Sequence, residues 1–105
     1  MILAREVETF LAVAQYHSLT VASEHLFVTV AAISQQMKKL EHETGVQLLN
    51  RNKKGVTLTP AGEVFLEKIE QIKRLEEEAL LLARWADRRT FPDTSTDKTE
   101  QASDL

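Results

Sequence analysis

Residues 18–51 read Ser-Leu-Thr-Val-Ala-Ser-Glu-His-Leu-Phe-Val-Thr-Val-Ala-Ala-Ile-Ser-Gln-Gln-Met-Lys-Lys-Leu-Glu-His-Glu-Thr-Gly-Val-Gln-Leu-Leu-Asn-Arg. Two short helical patterns lie in this stretch, separated by a tight connection and followed by a small hydrophobic turn that leads to a basic hairpin. That order of parts is the order of a winged helix-turn-helix, a device that places one helix in the major groove of DNA. Thr20 is expected to cap the first of the two helices, over Val21 to Leu26, by accepting a hydrogen bond from an unpaired first-turn N–H. Phe27-Val28 is read as the turn, its apolar side chains folding under the helix pair. Thr29 caps the next helix, from about Val30 to Glu43, and Gly45 supplies the left-handed residue that commonly ends a helix.

The faces of the 30–43 helix bear on function. At 100° per residue, Ile33, Gln36, Met37 and Leu40 fall on one side, and three of these four are apolar. Ala31, Ser34, Gln35, Lys38 and His42 fall on the other. A groove-binding helix needs small residues for close approach, amides or hydroxyls for base edges, and cations for phosphates. Periodicity alone equally allows an ordinary solvated face.

Outward from this stretch, Val7, Phe10, Leu11 and Ala14 recur at helical spacing, so residues 4–16 are expected to form a first amphipathic helix that His17-Ser18 breaks. Beyond it, Arg51-Asn-Lys-Lys-Gly55 separates Leu48-Leu49 from Val56-Thr-Leu58, the pattern of a β-hairpin with a loop of about 3–5 residues containing Gly. Arg51, Lys53 and Lys54 on such a hairpin suit a DNA backbone or minor-groove contact; lysines also simply keep exposed turns soluble. Thr59-Pro60 opens a last helix with a cap residue followed by Pro, whose missing N–H costs nothing at the first helical position. That helix can run without a breaker to about Arg89, roughly 45 Å. Phe65, Ile72, Ala79 and Ala86 are spaced by seven, Leu75 and Leu82 add a second row, and Ile69 widens the stripe. A domain of this size covers only the first two turns, so sustained heptads point to helix–helix pairing, with homodimerisation the economical form. Trp85 is most simply an anchor at the seam or its edge; a dedicated partner pocket is the other reading. Phe91-Pro92 ends the helix, and the polar, acidic residues 92–105 are expected to be disordered.

The fold class expected is therefore mainly α: a winged helix-turn-helix of three helices plus a small β-hairpin wing over residues 1–58, a long linker and dimerisation helix over 59–91, and an acidic tail over 92–105. With 105 residues and 43% hydrophobic content, one compact domain with a modest core is within reach. The formal net charge of −3 speaks superficially against nucleic acid, but 12 of the 13 Lys+Arg and 12 of the 16 Asp+Glu lie in residues 1–91. The acidic excess is carried by the tail. Within 29–58, Lys38, Lys39, Arg51, Lys53 and Lys54 face only Glu41 and Glu43, and phosphate binding follows such local fields. No cysteine is present, which excludes disulfides and thiolate metal sites. His17, His25 and His42 lack metal-ligand spacing, and no phosphate loop or nucleophile motif occurs, so neither an enzyme nor a cofactor is expected. No apolar run approaches the roughly 18 residues of a membrane span, and no signal-peptide pattern opens the chain; a soluble cytoplasmic protein is the default expectation.

At this point the residues resemble the N-terminal region of LysR-type bacterial transcriptional regulators. The matching positions are Phe10, Ser18-Leu-Thr20, Ala22, Leu26, Val28, Ser34, Gln36, Leu40-Glu41, Gly45, Leu48, Arg51, Gly55-Val-x-Leu-Thr59 and Ala61-Gly62, with unbroken spacing over about residues 1–90. The resemblance implies a dimer whose linker helices pair antiparallel and whose third helices enter the major grooves of an interrupted, often A·T-rich palindrome. It implies DNA contacts at Ser18, Thr20, Thr29, Val30, Ala31, Ser34, Gln35, Lys38, Arg51, Lys53 and Lys54. It places the dimer seam at Phe65, Ile69, Ile72, Leu75, Ala79, Leu82, Trp85 and Ala86. A larger effector-binding domain normally follows the linker helix in that family; the sequence stops at the short tail, as a fragment or a stand-alone short regulator would. Two departures stand out. The family usually has Gln-Pro at Val30-Ala31 and often Arg at Gln35. Val30 offers only an apolar contact, to a thymine methyl, and Gln35 favours adenine over guanine. A second functional class stays open: a truncated relative that pairs through its linker helix with a full-length regulator and modulates it.

Overall fold

The computed structural model describes residues 3–90; the expected helix stop at Phe91-Pro92 and the acidic tail lie outside the described residues. In chain order the elements are α1 (Arg5–Tyr16), α2 (Leu19–Leu26), α3 (Val30–Thr44), β1 (Leu49–Asn52), β2 (Gly55–Leu58) and α4 (Pro60–Thr90). The mainly α winged helix-turn-helix with a long last helix is the observed architecture. The chain divides into two compact units, Met1–Ile72 and Lys73–Leu105, and the division falls inside α4.

The first unit is built around Phe10 and Val13 from α1, Ala22 from α2, Ile33, Met37 and Leu40 from α3, and Leu48, Leu49 and Val56 from the wing. Each helix contributes a face at the spacing its sequence showed, since burial of that face is what stabilises a short helix in water. Phe65, on the second turn of α4, closes the core edge-on against Phe10, with ring centroids 5.4 Å apart.

Helix ends follow capping chemistry, with one change from expectation. α2 begins at Leu19, and its cap is Ser18, whose hydroxyl accepts from the Val21 N–H at 3.1 Å. Thr20 therefore lies inside the helix and is no cap; its carbonyl accepts from the Ser23 hydroxyl at 2.7 Å. Thr29 caps α3 by accepting from the Ala32 N–H at 3.0 Å, and Gly45 closes it at φ +78°. Thr59 caps α4, accepting from the Gly62 N–H at 2.9 Å ahead of Pro60.

The turn between α2 and α3 departs further. Phe27 adopts the left-handed conformation at φ +58° and is 94% exposed, and Val28 is 37% exposed. The expected folding under the helix pair does not occur for Phe27 and is only partial for Val28. A left-handed residue is what reverses the chain so tightly here, its N–H reaching the Ser23 carbonyl, and that geometry carries the Phe27 ring outward.

The hairpin is also tighter than its sequence suggested. Leu49 pairs with Leu58, Asn50 with Thr57, Arg51 with Val56 and Asn52 with Gly55 in antiparallel register. The loop is thus Lys53-Lys54 alone, and Arg51 and Asn52 belong to the strand. Asn52 Oδ1 accepts from the Lys54 N–H at 2.8 Å, bracing the turn. Gly55 takes φ +133°, and a Cβ there would approach the His17 carbonyl oxygen to 2.8 Å. That carbonyl accepts from the Val56 N–H at 3.2 Å, which fastens the wing to the end of α1.

Candidate nucleic-acid interface

The buried side of α3 is Ile33, Met37 and Leu40. Gln36 is half-buried on the same side, hydrogen-bonded to the Thr9 hydroxyl of α1. The opposite side carries Val30, Ala31, Gln35, Lys38 and His42, all exposed, with Ser34 half-buried among them. The expected two faces of this helix are therefore its observed faces. At 100° per residue Val30, Ser34 and Lys38 form one row, and Ala31 with Gln35 a second beside it.

The wing supplies the cations. Lys53 and Lys54 are exposed at its tip. Arg51, placed on β1 instead of in the loop, donates from Nη1 to the Ser34 hydroxyl at 2.9 Å. This bond joins wing and helix into one surface and leaves the Ser34 hydrogen and the remaining guanidinium donors to serve an anionic ligand. Lys39, counted in the local positive charge, lies toward α1, its ammonium 3.8 Å from the Glu6 carboxylate. The outward cations are thus Lys38, Arg51, Lys53 and Lys54. Ser18 and Thr29 have hydroxyl oxygens engaged as helix caps, and Thr20 is exposed on α2.

Several supports of this surface join positions whose sequence signal did not reveal the contact they make. The Glu41 carboxylate accepts from the Leu48 and Leu49 N–H groups at 2.7 and 3.0 Å, holding the start of the wing to the last turn of α3. Thr59 donates its N–H to the Leu48 carbonyl at 3.0 Å and its hydroxyl to the Gln47 carbonyl at 2.7 Å. Gly62 lies so close that a Cβ would come within 2.2 Å of the Leu48 carbonyl oxygen. Under α3, Glu6 is held below the ordinary carboxylate range by its backbone N–H, a hydrogen bond with Glu43, and Lys39. Glu43 is pushed up by that same hydrogen bond, by burial and by the Glu6 charge.

Of the expected seam residues, Phe65 packs against Phe10 of the first unit, and Ile69 is buried. Ile72, Leu75, Ala79, Leu82, Trp85 and Ala86 are exposed along α4, as is Leu81.

The architecture defines a winged helix-turn-helix domain, and residues 4–63 match the model of the bacterial regulatory helix-turn-helix protein, lysR family. The chain belongs to the LysR family. It is similar to the uncharacterized HTH-type transcriptional regulator YcgK of Bacillus subtilis (strain 168), 46% identical over 68 residues that cover 65% of this chain and 21% of YcgK. It is also similar to the HTH-type transcriptional regulator BudR of Klebsiella aerogenes, 41% identical over 80 residues, covering 76% of this chain and 56% of BudR. The chain thus spans about a fifth of the length of one relative and just over half of the other. Among solved structures, it superposes on the CbnR DBD–DNA complex with TM-score 0.74 and 36% identity, over 78% of this chain and 94% of that one.

Proposed function

We propose that this chain is a DNA-binding transcriptional regulator, or the DNA-binding part of one, acting as a dimer. α3 enters the major groove of double-stranded DNA through Ser34, Gln35 and Lys38, with Val30 and Ala31 at its leading end. The wing lies against the sugar–phosphate backbone through Arg51, Lys53 and Lys54, and Ser18, Thr20 and Thr29 border the contact. Residues 59–91 form the linker, with two copies pairing along the exposed stripe of α4. The observation that carries this reading is the Arg51–Ser34 hydrogen bond, which brings the wing's cations and the outward row of α3 into one positively charged, hydrogen-bonding surface. The family membership and a relative solved with DNA support it. Such a regulator works in the cytoplasm, and no described helix is long and apolar enough to cross a membrane.

The test is a mobility shift on duplexes selected from a random pool, with a salt titration. Neutralising Lys53 and Lys54 is expected to weaken binding to all duplexes alike and to flatten the log–log salt slope by about 0.9 per lost phosphate contact. A sequence-selective loss with an unchanged slope would contradict the backbone role. The exposure of Leu75, Leu81, Leu82 and Trp85 on α4 favours a second reading as well, a module that pairs with a longer relative and modulates it. Failure to bind any duplex, together with mixed-dimer formation, would make that the better account.

A further inference from the structure

The leading end of α3 is apolar where the rest of its outward surface is polar. Val30 is 41% exposed and Ala31 is exposed beside it. Thr29, just before them, has its hydroxyl oxygen committed to the Ala32 N–H. Beyond that cap, Val30 and Ala31 bring neither a side-chain donor nor a side-chain acceptor to a base edge. Farther along the same row the chemistry changes: Ser34 is held by Arg51, and Lys38 follows. An isolated exposed Val needs no explanation in general. This one heads a row whose other members suit DNA, so the feature it would meet is set by the groove. The apolar group that a base pair presents in the major groove is the pyrimidine C5-methyl, carried by thymine and absent from cytosine.

We propose that Val30, with Ala31 beside it, is a specificity-determining residue that reads a pyrimidine C5-methyl group in the major groove. The proposal rests on the DNA-binding reading above and narrows it. A valine side chain touches the methyl and has no donor or acceptor with which to test the exocyclic group at C4. The position is therefore read by methylation: thymine and 5-methylcytosine satisfy Val30, whereas uracil and unmodified cytosine do not. Any discrimination between thymine and 5-methylcytosine has to come from another residue, and Gln35 on the adjacent row carries the amide able to supply it.

The experiment starts from a duplex selected by the wild-type chain and replaces each thymine in turn by deoxyuridine, with binding followed by fluorescence anisotropy at fixed salt. One thymine in a half-site is expected to show a loss of about three- to fivefold, the effect of withdrawing one buried methyl. At that position a 5-methylcytosine·guanine pair is expected to bind better than cytosine·guanine by a similar factor. Val30→Ile keeps the uridine penalty and Val30→Ser erases it, with thermal melting of both variants verifying that they fold. A uridine penalty that persists in Val30→Ser, or the absence of any penalty across the selected site, overturns the assignment. A wild-type chain that selects no duplex brings down the DNA-binding reading itself, a result distinct from a selected site that ignores the methyl.

Discussion

Phe27 bears a local backbone cost that a better-suited residue would avoid. A non-glycine side chain in the left-handed region costs about 1–2 kcal/mol, and its ring is almost wholly exposed. Asn enters this region more readily, so Phe27→Asn is expected to raise stability by about 1 kcal/mol, read as a higher Tm in a circular-dichroism melt. A lower Tm would show that the ring packs in solution. This residue also marks where the sequence stops being informative. Helical spacing assigns Phe10, Ile33 and Met37 to the core because their directions follow from one period, and all three are fully buried. Phe27 lies between two helices, where direction depends on a dihedral angle that hydrophobicity does not encode. Ser18 and Thr20 pose a similar ambiguity, since both are good caps. The choice falls to Ser18 because its hydroxyl reaches the Val21 N–H.

At the scale of elements, most helix limits are legible in the sequence, the start of α2 excepted, and the fastenings between elements are not. Thr29, Gly45 and Thr59-Pro60 mark their helix ends through local chemistry, which a sequence displays directly. Arg51 on Ser34 and Glu41 on the Leu48 and Leu49 amides join residues far apart in the chain, and no local pattern announces them. Removing Glu41 leaves two N–H groups without their acceptor. Glu41→Ala is expected to cost about 1–3 kcal/mol in chemical denaturation; a change below a few tenths would mean that water substitutes freely. The contact between α1 and α3 has a pH dependence of mixed sign. Glu43 holds its proton more tightly in the fold, so its contribution is full below the ordinary glutamate value of 4.5 and is lost as pH rises through its folded value. Glu6 acts in the opposite sense, stabilising above 4.5 and losing that stabilisation as pH falls through its own lowered value. The pair therefore contributes most between the two values and less at neutrality. Glu43→Gln retains a donor toward Glu6 without the second charge. Its Tm is expected to exceed that of the wild type at about pH 7, with the gap narrowing toward mild acid; a constant gap across that range would rule out the shared proton.

At the scale of the whole molecule, α4 offers more apolar surface than its own chain is seen to cover. Phe65, packed on Phe10, shows that part of the heptad stripe serves the first unit's interior, a division of labour that a seven-residue spacing cannot reveal. Ile72, Leu75 and Leu82 are exposed, and burying each against a second copy would contribute roughly 1.5–3 kcal/mol. The wild type is expected to sediment as a dimer at tens of micromolar, and Ile72→Glu combined with Leu82→Glu as a monomer. A monomeric wild type would end the seam reading. In the first unit, Leu48 has its N–H on Glu41 of α3, its carbonyl on Thr59 at the cap of α4, and its side chain in the core. Freeing the end of α3 leaves the Leu48 N–H without its acceptor, and freeing the start of α4 leaves the Leu48 carbonyl without its donor. Each helix end is therefore expected to open together with the start of the wing, as one foldon in amide hydrogen exchange.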